Sequence, residues 1–118
     1  MNDYNMFLKE VKDLNREEIL STLLEHLQDG IWGIAILKRE GVAINKEKLK
    51  DMVNEYYKEK NNVDINLINS RHSLDIFAAR LEGAGLVNVS EVGRARVYTL
   101  SKLGQELIEF REQLRKKQ

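Results

Sequence analysis

Two arginines flank a single alanine in the stretch VGRARVY, where Gly93 marks a turn between two apolar runs. A guanidinium group presents its N–H donors in a planar fork that matches the oxygens of a phosphate. The segment Glu91 to Ala95 is predicted to form the turn of a hairpin, which places Arg94 and Arg96 at its narrow tip. The two arginines are therefore candidate phosphate ligands, and the alternative is that they are ordinary solvated turn residues.

Hydroxyl, guanidinium and imidazole groups follow one another at Ser70, Arg71, His72 and Ser73. The pattern predicts that a helix begins here, and the first N–H groups of a helix are free at the positive end of its dipole. Such a cluster suits an anion, so Arg71, His72 and Ser73 are candidate contacts to phosphate. For the two serines the alternative is simple capping of the helix, and for Ser70 capping is the preferred interpretation.

The helix predicted after Ser70 has one apolar face and one mild face. The apolar face holds, at helical spacing, Leu74, Phe77, Ala78 and Leu81. The opposite face holds His72, Ile76, Ala79 and Gly83, and its flanks hold Arg71, Ser73, Asp75 and Arg80. A solvated helix normally shows long charged residues there, whereas short ones suit a helix that lies against another surface. In a DNA major groove Arg71 can reach guanine, and Ile76 or Ala79 can touch a thymine methyl group.

The elements upstream of this helix are predicted from capping residues and apolar spacing. Asn15 with Glu18 forms a capping box that opens a helix, which Gly30 breaks. The segment IWGIAILK is apolar nearly all round, so it is predicted to be the most buried helix, and Gly41 ends it. Asn45 opens an amphipathic helix of about four turns. The polar stretch KEKNNVDIN that follows is predicted to be a loop.

Helices, a loop, one further helix and a hairpin follow each other in the order of a winged helix-turn-helix. The predicted fold class is mainly α with a small β-hairpin, and residues 1–118 are predicted to form one domain. In this fold the helix from Arg71 enters the major groove and the hairpin lies along the DNA backbone. Arg80 on that helix, and Lys46 and Lys48 at the front of the Asn45 helix, are further candidate contacts with DNA.

An apolar seam is predicted along the last helix, which Ser101 caps. Its members are spaced four, three and four residues apart, the alternation of a coiled coil: Leu103, Leu107, Phe110 and Leu114. A second apolar stripe near the start of the chain includes Phe7 and Val11. Because tight DNA sites are usually read by two-fold dimers, both stripes are predicted to join two copies into a homodimer.

The distribution of charge is uneven although the 118 residues carry no net charge. Residues 1–30 hold seven acidic side chains and three basic ones, which leaves a basic excess in the rest of the chain. Such asymmetry fits a protein that turns one face toward a polyanion, although charged runs are more often merely solvated.

No motif in the sequence indicates catalysis or the binding of a cofactor. The absence of cysteine excludes disulfides and thiolate metal sites, and it fits a reducing cytoplasm. His26 and His72 lie on separate predicted helices without a metal motif, and neither a nucleophile elbow nor a phosphate loop occurs. No secretion signal or membrane span is found. The expected protein is cytoplasmic and not an enzyme, with no metal, no cofactor and no membrane partner.

The stretch VGRARVYTLSKLGQELIEF, preceded by AGLV, resembles the wing and last helix of the TubR family, the DNA-binding partners of tubulin-like GTPases in type III plasmid partition. Upstream, ILSTLLEHL, IWGIAILK and the helix start at Asn45 and Lys46 recur in the same order. The resemblance implies a dimer that binds repeated centromere sites on double-stranded DNA and forms a filament that the GTPase polymer engages. It also implies Arg71 as a DNA contact, and Arg94 and Arg96 as contacts of the wing.

One departure from the TubR pattern is the segment NEYYKEKNNVDIN, which stands where that pattern has a tight turn. Long connections at this point resemble PadR-type regulators and replication-terminator proteins. The leading hypothesis is a sequence-specific DNA-binding dimer that acts in plasmid or phage segregation and represses its own operon. The first alternative is a PadR- or MarR-type transcriptional repressor. The second is a winged helix used for contacts with other proteins, and sensing of a small ligand also stays open.

Overall fold

Five α-helices and three short strands occupy residues 15–117, the part of the chain that the computed structural model describes. The helices are α1 (Arg16–Leu27), α2 (Ile31–Glu40), α3 (Lys46–Asn61), α4 (Arg71–Gly83) and α5 (Lys102–Lys116), and a 3₁₀ turn at Gln28–Gly30 joins the first two. The strands are β1 (Ile44–Asn45), β2 (Val87–Val92) and β3 (Ala95–Leu100). These elements confirm the predicted fold class and are compatible with a winged helix. The predicted first helix, with Phe7 and Val11, lies outside the described residues.

Four of these helices begin at a side-chain cap that the sequence predicts. The side chains of Asn15, Asn45, Ser70 and Ser101 each accept a hydrogen bond of 2.8 to 3.0 Å from the backbone N–H three residues on. Each cap satisfies a donor that the first helical turn leaves unpaired. The box at Asn15 differs in one detail, because the Glu18 carboxylate accepts from the side-chain amide of Asn15 and not from its backbone. The starts of these helices are thus determined locally.

The core is built around α2, as its apolar sequence predicts. Ile34 and Ile36 are fully buried and Leu37 is nearly so. Gly41 ends the helix at a φ of 66°, a left-handed conformation that glycine adopts without strain. None of the described helices, α2 included, is long and apolar enough to cross a membrane.

The break before α2 differs from the prediction. The chain leaves the helical conformation at Gln28, whose φ is 51°, whereas Gly30 keeps helical backbone angles. Gly30 is needed for space, because a Cβ atom there would lie 2.4 Å from Cδ1 of Leu27. The glycine therefore permits close packing at this corner, and it does not supply the turn.

The predicted hairpin is part of a three-stranded antiparallel sheet in the order β1-β3-β2. The β2–β3 pairing continues until Val92 lies opposite Ala95. The turn therefore consists of two residues and not of the five predicted. Strand β1, which the sequence pattern does not predict, pairs Ile44 with Tyr98 and Asn45 with Val97. Because Asn45 also caps α3, the sheet joins the start of α3 to the hairpin.

The connection between α3 and α4 is shorter than predicted, and it is anchored. Since α3 continues through Asn61, the first four residues of the predicted loop KEKNNVDIN are helical. Asn54, buried in α3, donates to the carbonyl oxygen of Ile68 at 2.9 Å and accepts from the N–H of Ile68 at 2.8 Å. Ile68 is itself buried. These two bonds fix the backbone two residues before the Ser70 cap, and so they set where α4 begins.

The last helix, α5, packs directly on the backbone at the start of β2. The Ser101 hydroxyl that caps α5 also donates to the carbonyl oxygen of Gly85 at 2.7 Å, and the Ser101 N–H donates to that of Leu86 at 3.1 Å. A Cβ atom at Gly104 would lie 2.2 Å from the same Leu86 oxygen. Residue 104 therefore has no room for a side chain unless the backbone moves.

We expect Gly104→Ala to lower the free energy of unfolding by about 1 to 3 kcal/mol, the usual cost of overpacking a filled interior. The loss should occur although alanine favours a helix over glycine by about 1 kcal/mol. The matched control is Gly83→Ala in α4, where a Cβ atom meets nothing within 4 Å; this change should be neutral or stabilising. Urea unfolding followed by circular dichroism measures both. A Gly104→Ala protein as stable as the wild type would contradict the close contact.

Candidate nucleic-acid interface

Helix α4 turns one face into the core and the other to solvent, as the sequence spacing predicts. The buried side chains are Leu74, Phe77, Ala78 and Leu81. The exposed residues are Arg71, His72, Asp75, Ile76, Ala79, Arg80 and Gly83. Of these we call Arg71, His72, Ile76, Ala79 and Arg80 the outer face of α4, and Asp75 lies on its flank. Ile76 stands near the middle of this face with 46% of its surface exposed. The outer face thus combines a short, uncharged centre with an arginine toward each end.

A reciprocal capping box holds the start of α4. The Ser70 hydroxyl accepts from the Ser73 N–H, and the Ser73 hydroxyl accepts from the Ser70 N–H, both at 3.0 Å. The preferred interpretation of Ser70 as a cap is therefore confirmed, and the hydroxyl of half-buried Ser73 takes part in the same cap. The cap leaves the N–H groups of Arg71 and His72, at the positive end of the dipole, pointing away from the helix body.

Lys46, the first residue of α3, forms an ion pair with Asp75 on the flank of α4. The hydrogen bond from Lys46 holds the pKa of the Asp75 carboxyl below its usual value, and the positive charge of Arg71 acts in the same direction. Asp75 is therefore ionised and paired at neutral pH. Lys48 is exposed in the same turn of α3, and its backbone N–H serves the Asn45 cap.

The two arginines of the hairpin occupy different positions. Gly93 has a φ of 65°, and it forms with Arg94 a two-residue turn that requires glycine first. Arg94 is therefore exposed at the tip, whereas Arg96 lies within β3. Because side chains alternate along a strand, Arg96 shares a sheet face with buried Tyr98, and its guanidinium group pairs with Glu82 of α4. The prediction that both arginines stand at the tip is wrong for Arg96, since the turn is shorter than expected.

These two ion pairs engage both acidic residues of α4, Asp75 and Glu82. All four side chains remain partly exposed, and exposed pairs of this kind contribute little to stability. They can therefore open at little cost when another anion approaches. Lys46 and Arg96 are thus held beside α4, where they also suppress the repulsion that two unpaired carboxylates would exert on phosphates.

The residues predicted for a dimer seam on α5 are divided between core and surface. Leu107 is fully buried in the chain's own core, and Leu103 and Phe110 pack against that core while half-buried. Leu114 is 40% exposed. The apolar surface that α5 offers to a partner therefore comes from Phe110 and Leu114, and Phe7 and Val11 lie outside the described residues.

The next feature is the distribution of possible metal ligands among the described residues. Within residues 15–117, histidine and carboxylate side chains form no group of three or more that could hold a metal ion. His26 lies in the last turn of α1 and His72 in the first turn of α4, so the two imidazoles belong to different parts of the fold.

Sequence reasoning missed the contacts that hold α4 in register with its neighbours. Asn54 carries one weak signal, an uncharged polar residue beside the apolar stripe of α3. In the sequence Asp75 and Glu82 stand out only as flanking or surface charges, and their partners lie 29 and 14 residues away along the chain. Ion pairs between residues this far apart do not produce a regular spacing in the sequence, so they can be identified only in the folded structure.

Comparison with known proteins agrees with this architecture. No protein-family model matches the chain. Its sequence is 45% identical to the DNA-binding protein TubR of Bacillus cereus over 101 residues, which amount to 80% of this chain and 84% of that protein. The matched length exceeds any single helix or hairpin described above. The chain belongs to the TubR family.

Proposed function

We propose that the chain binds double-stranded DNA by laying the outer face of α4 in the major groove, with the β2–β3 hairpin along the sugar–phosphate backbone. The observation that carries the proposal is the composition of that face, a short uncharged centre at Ile76 and Ala79 between Arg71 and Arg80. The similarity to a protein named as DNA-binding supports the same conclusion. Catalysis has no part in this function.

The residues of the interface divide into two roles. Arg71, His72, Ile76 and Ala79 face the base edges, where arginine suits guanine and small apolar groups suit the thymine methyl. The groups that face phosphates are Lys46, Lys48, Arg80, Arg94 and Arg96, with Ser73 holding the first helical turn in place. On contact, Lys46 and Arg96 exchange their carboxylate partners for phosphate oxygens. Phosphate contacts then fix the position of α4 on the duplex, and base contacts determine which DNA sequence is preferred.

A homodimer is the proposed binding unit. Tight DNA sites are commonly read by two-fold dimers whose recognition helices are about 34 Å apart, one turn of the duplex. Phe110 and Leu114 on α5 supply exposed apolar surface for such a contact, and Phe7 and Val11 are proposed to extend it. In this proposal residues 1–118 form one winged-helix domain, which supplies both the DNA surface and the dimer contact.

Family membership supports a biological setting for this binding. The proposed role is that of the DNA-binding component of a plasmid or phage partition system in the cytoplasm, bound to repeated centromere sites. A tubulin-like GTPase is the proposed protein partner, and repression of the chain's own operon follows if the sites overlap its promoter.

We expect Ala79→Glu to abolish specific binding, because a carboxylate at the centre of the outer face would meet the phosphates and base edges of the groove. Affinity for the DNA upstream of the chain's own gene should fall at least about a hundredfold, since several kcal/mol are lost when like charges are brought together at an interface. Gel-shift titration measures the loss, and circular dichroism checks the fold. The matched control is Ser21→Glu, at an exposed position on α1, which should bind as wild type does. Wild-type binding by folded Ala79→Glu would place the groove-facing surface elsewhere.

The hairpin arginines give a second prediction, because one is free at the tip and the other is paired. Arg94→Ala should weaken binding to all DNA sequences alike and reduce the slope of log K against log salt by about 1, as expected for one lost phosphate contact. Fluorescence anisotropy across a salt series measures this slope. Lys116→Ala, which removes an exposed charge at the far end of α5, should leave it unchanged. An unaltered slope for Arg94→Ala would exclude the tip from the interface.

A further inference from the structure

A second concave surface lies between α2, α3 and α5. It consists of two adjoining cavities of about 270 and 330 Å³, whose shared lining residues are Ala35, Tyr56, Arg111 and Arg115. We call this the α2–α3–α5 groove. The cleft beside the start of α4 is lined by a different face of α3, which includes Lys50, Asn54 and Lys58. The groove and the outer face of α4 are therefore separated by α3.

Aromatic and aliphatic side chains form the floor of the groove. Trp32 of α2 meets Tyr56 edge to face, with ring centroids 5.5 Å apart, and it meets Tyr57 in the same manner at 5.4 Å. Ala35 and Ile108 complete the apolar lining. Contacts of this geometry fix the ring planes. The floor is thus a packed apolar surface built on these aromatic contacts.

Positive charge surrounds this floor. Arg111 and Arg115 stand one turn apart on α5, and Lys60 lies over the Tyr56 ring at 5.5 Å from its centroid. Among residues 15–117, none of the ion pairs includes any of these three cations. The groove lining also includes a carboxylate, Glu112 of α5, which accepts from the Lys38 ammonium at 2.8 and 2.9 Å.

The two arginines are held in an unfavourable arrangement. Partial burial lowers the pKa of Arg111, and the like charge of Arg115 lowers it further. Like charges one turn apart on a helix destabilise it. An anion between the two guanidinium groups would reverse both effects, because it would replace lost hydration and repulsion with charge-assisted hydrogen bonds.

We propose that the α2–α3–α5 groove binds an acidic peptide segment of a partner protein, with carboxylates on Arg111, Arg115 and Lys60 and an apolar side chain on the Trp32 and Tyr56 floor. A free inorganic anion would leave this floor uncovered. A DNA duplex is too wide to enter cavities of this size. The proposal is independent of DNA binding, since α3 separates the two surfaces.

Fluorescence of Trp32 can report on binding in the groove, because Trp32 is the only tryptophan of the 118 residues and lines one cavity. The probe is a blocked peptide of alternating glutamate and leucine, titrated into the full chain while tryptophan emission is recorded. We expect a saturable change in emission, and none with a lysine–leucine peptide of equal length. Arg111→Gln combined with Arg115→Gln should weaken binding by about tenfold or more, while gel-shift affinity for DNA stays unchanged.

The matched control is Lys116→Gln combined with Lys117→Gln, which removes the same charge from exposed positions outside the groove. It should bind the peptide as wild type does. Arg115→Gln alone, at an exposed position, provides a second variant if burial of Arg111 makes the double change unstable by circular dichroism. Absence of a saturable change, equal weakening by the control pair, or displacement of the peptide by millimolar phosphate, a nucleotide or duplex DNA would each overturn the proposal.

Discussion

Packing of the apolar stripe of α4 on the core, with Phe77 and Leu81 against Gly33 of α2, orients the outer face of the candidate interface. A Cβ atom at Gly33 would lie 2.9 Å from Cε1 of Phe77 and 3.0 Å from Cδ1 of Leu81. Because glycine leaves this space open, the apolar stripe of α4 fits directly against the most buried helix of the fold. Rotation of α4 about its axis is then costly, since it would expose Phe77 and Leu81. Ile76 and Ala79 are held outward for the same reason.

Two ion pairs also connect α4 to its neighbouring elements. Helix α4 carries two carboxylates that oppose binding of a polyanion, and each is met by a cation from another part of the fold, Lys46 from α3 and Arg96 from β3. The short strand β1 and the Asn45 cap hold α3 and β3 together. The pairing of β1 with β3 and the Asn45 cap therefore place both cations beside α4. In the proposed complex, the same side chains that pair with the two carboxylates of α4 in the free protein would bind phosphates beside the helix.

Local signals in the sequence were sufficient for the helix starts, the inner face of α4, the hairpin and the family. Caps such as Ser70 and apolar residues at helical spacing act over a few residues, so they can be read without the fold. What was missed depends on distant contacts or on very short elements. Strand β1 is too short to show a period, and Asn54 reveals its role only when Ile68 lies beside it. Leu107 fits a seam by spacing, yet it is buried because α5 packs on the chain's own core.

The central claim is that the outer face of α4 meets DNA, and methyl NMR with isotope-labelled isoleucine and alanine measures this contact directly. Upon addition of duplex DNA from upstream of the chain's own gene, the methyl signals of Ile76 and Ala79 should shift or broaden. The signals of Ile34, which is fully buried, and of Ile19, which is exposed on α1, should stay in place. The account would be contradicted if the protein binds the DNA and the methyl signals of Ile76 and Ala79 keep the positions they have in the free protein while the Ile19 signal shifts.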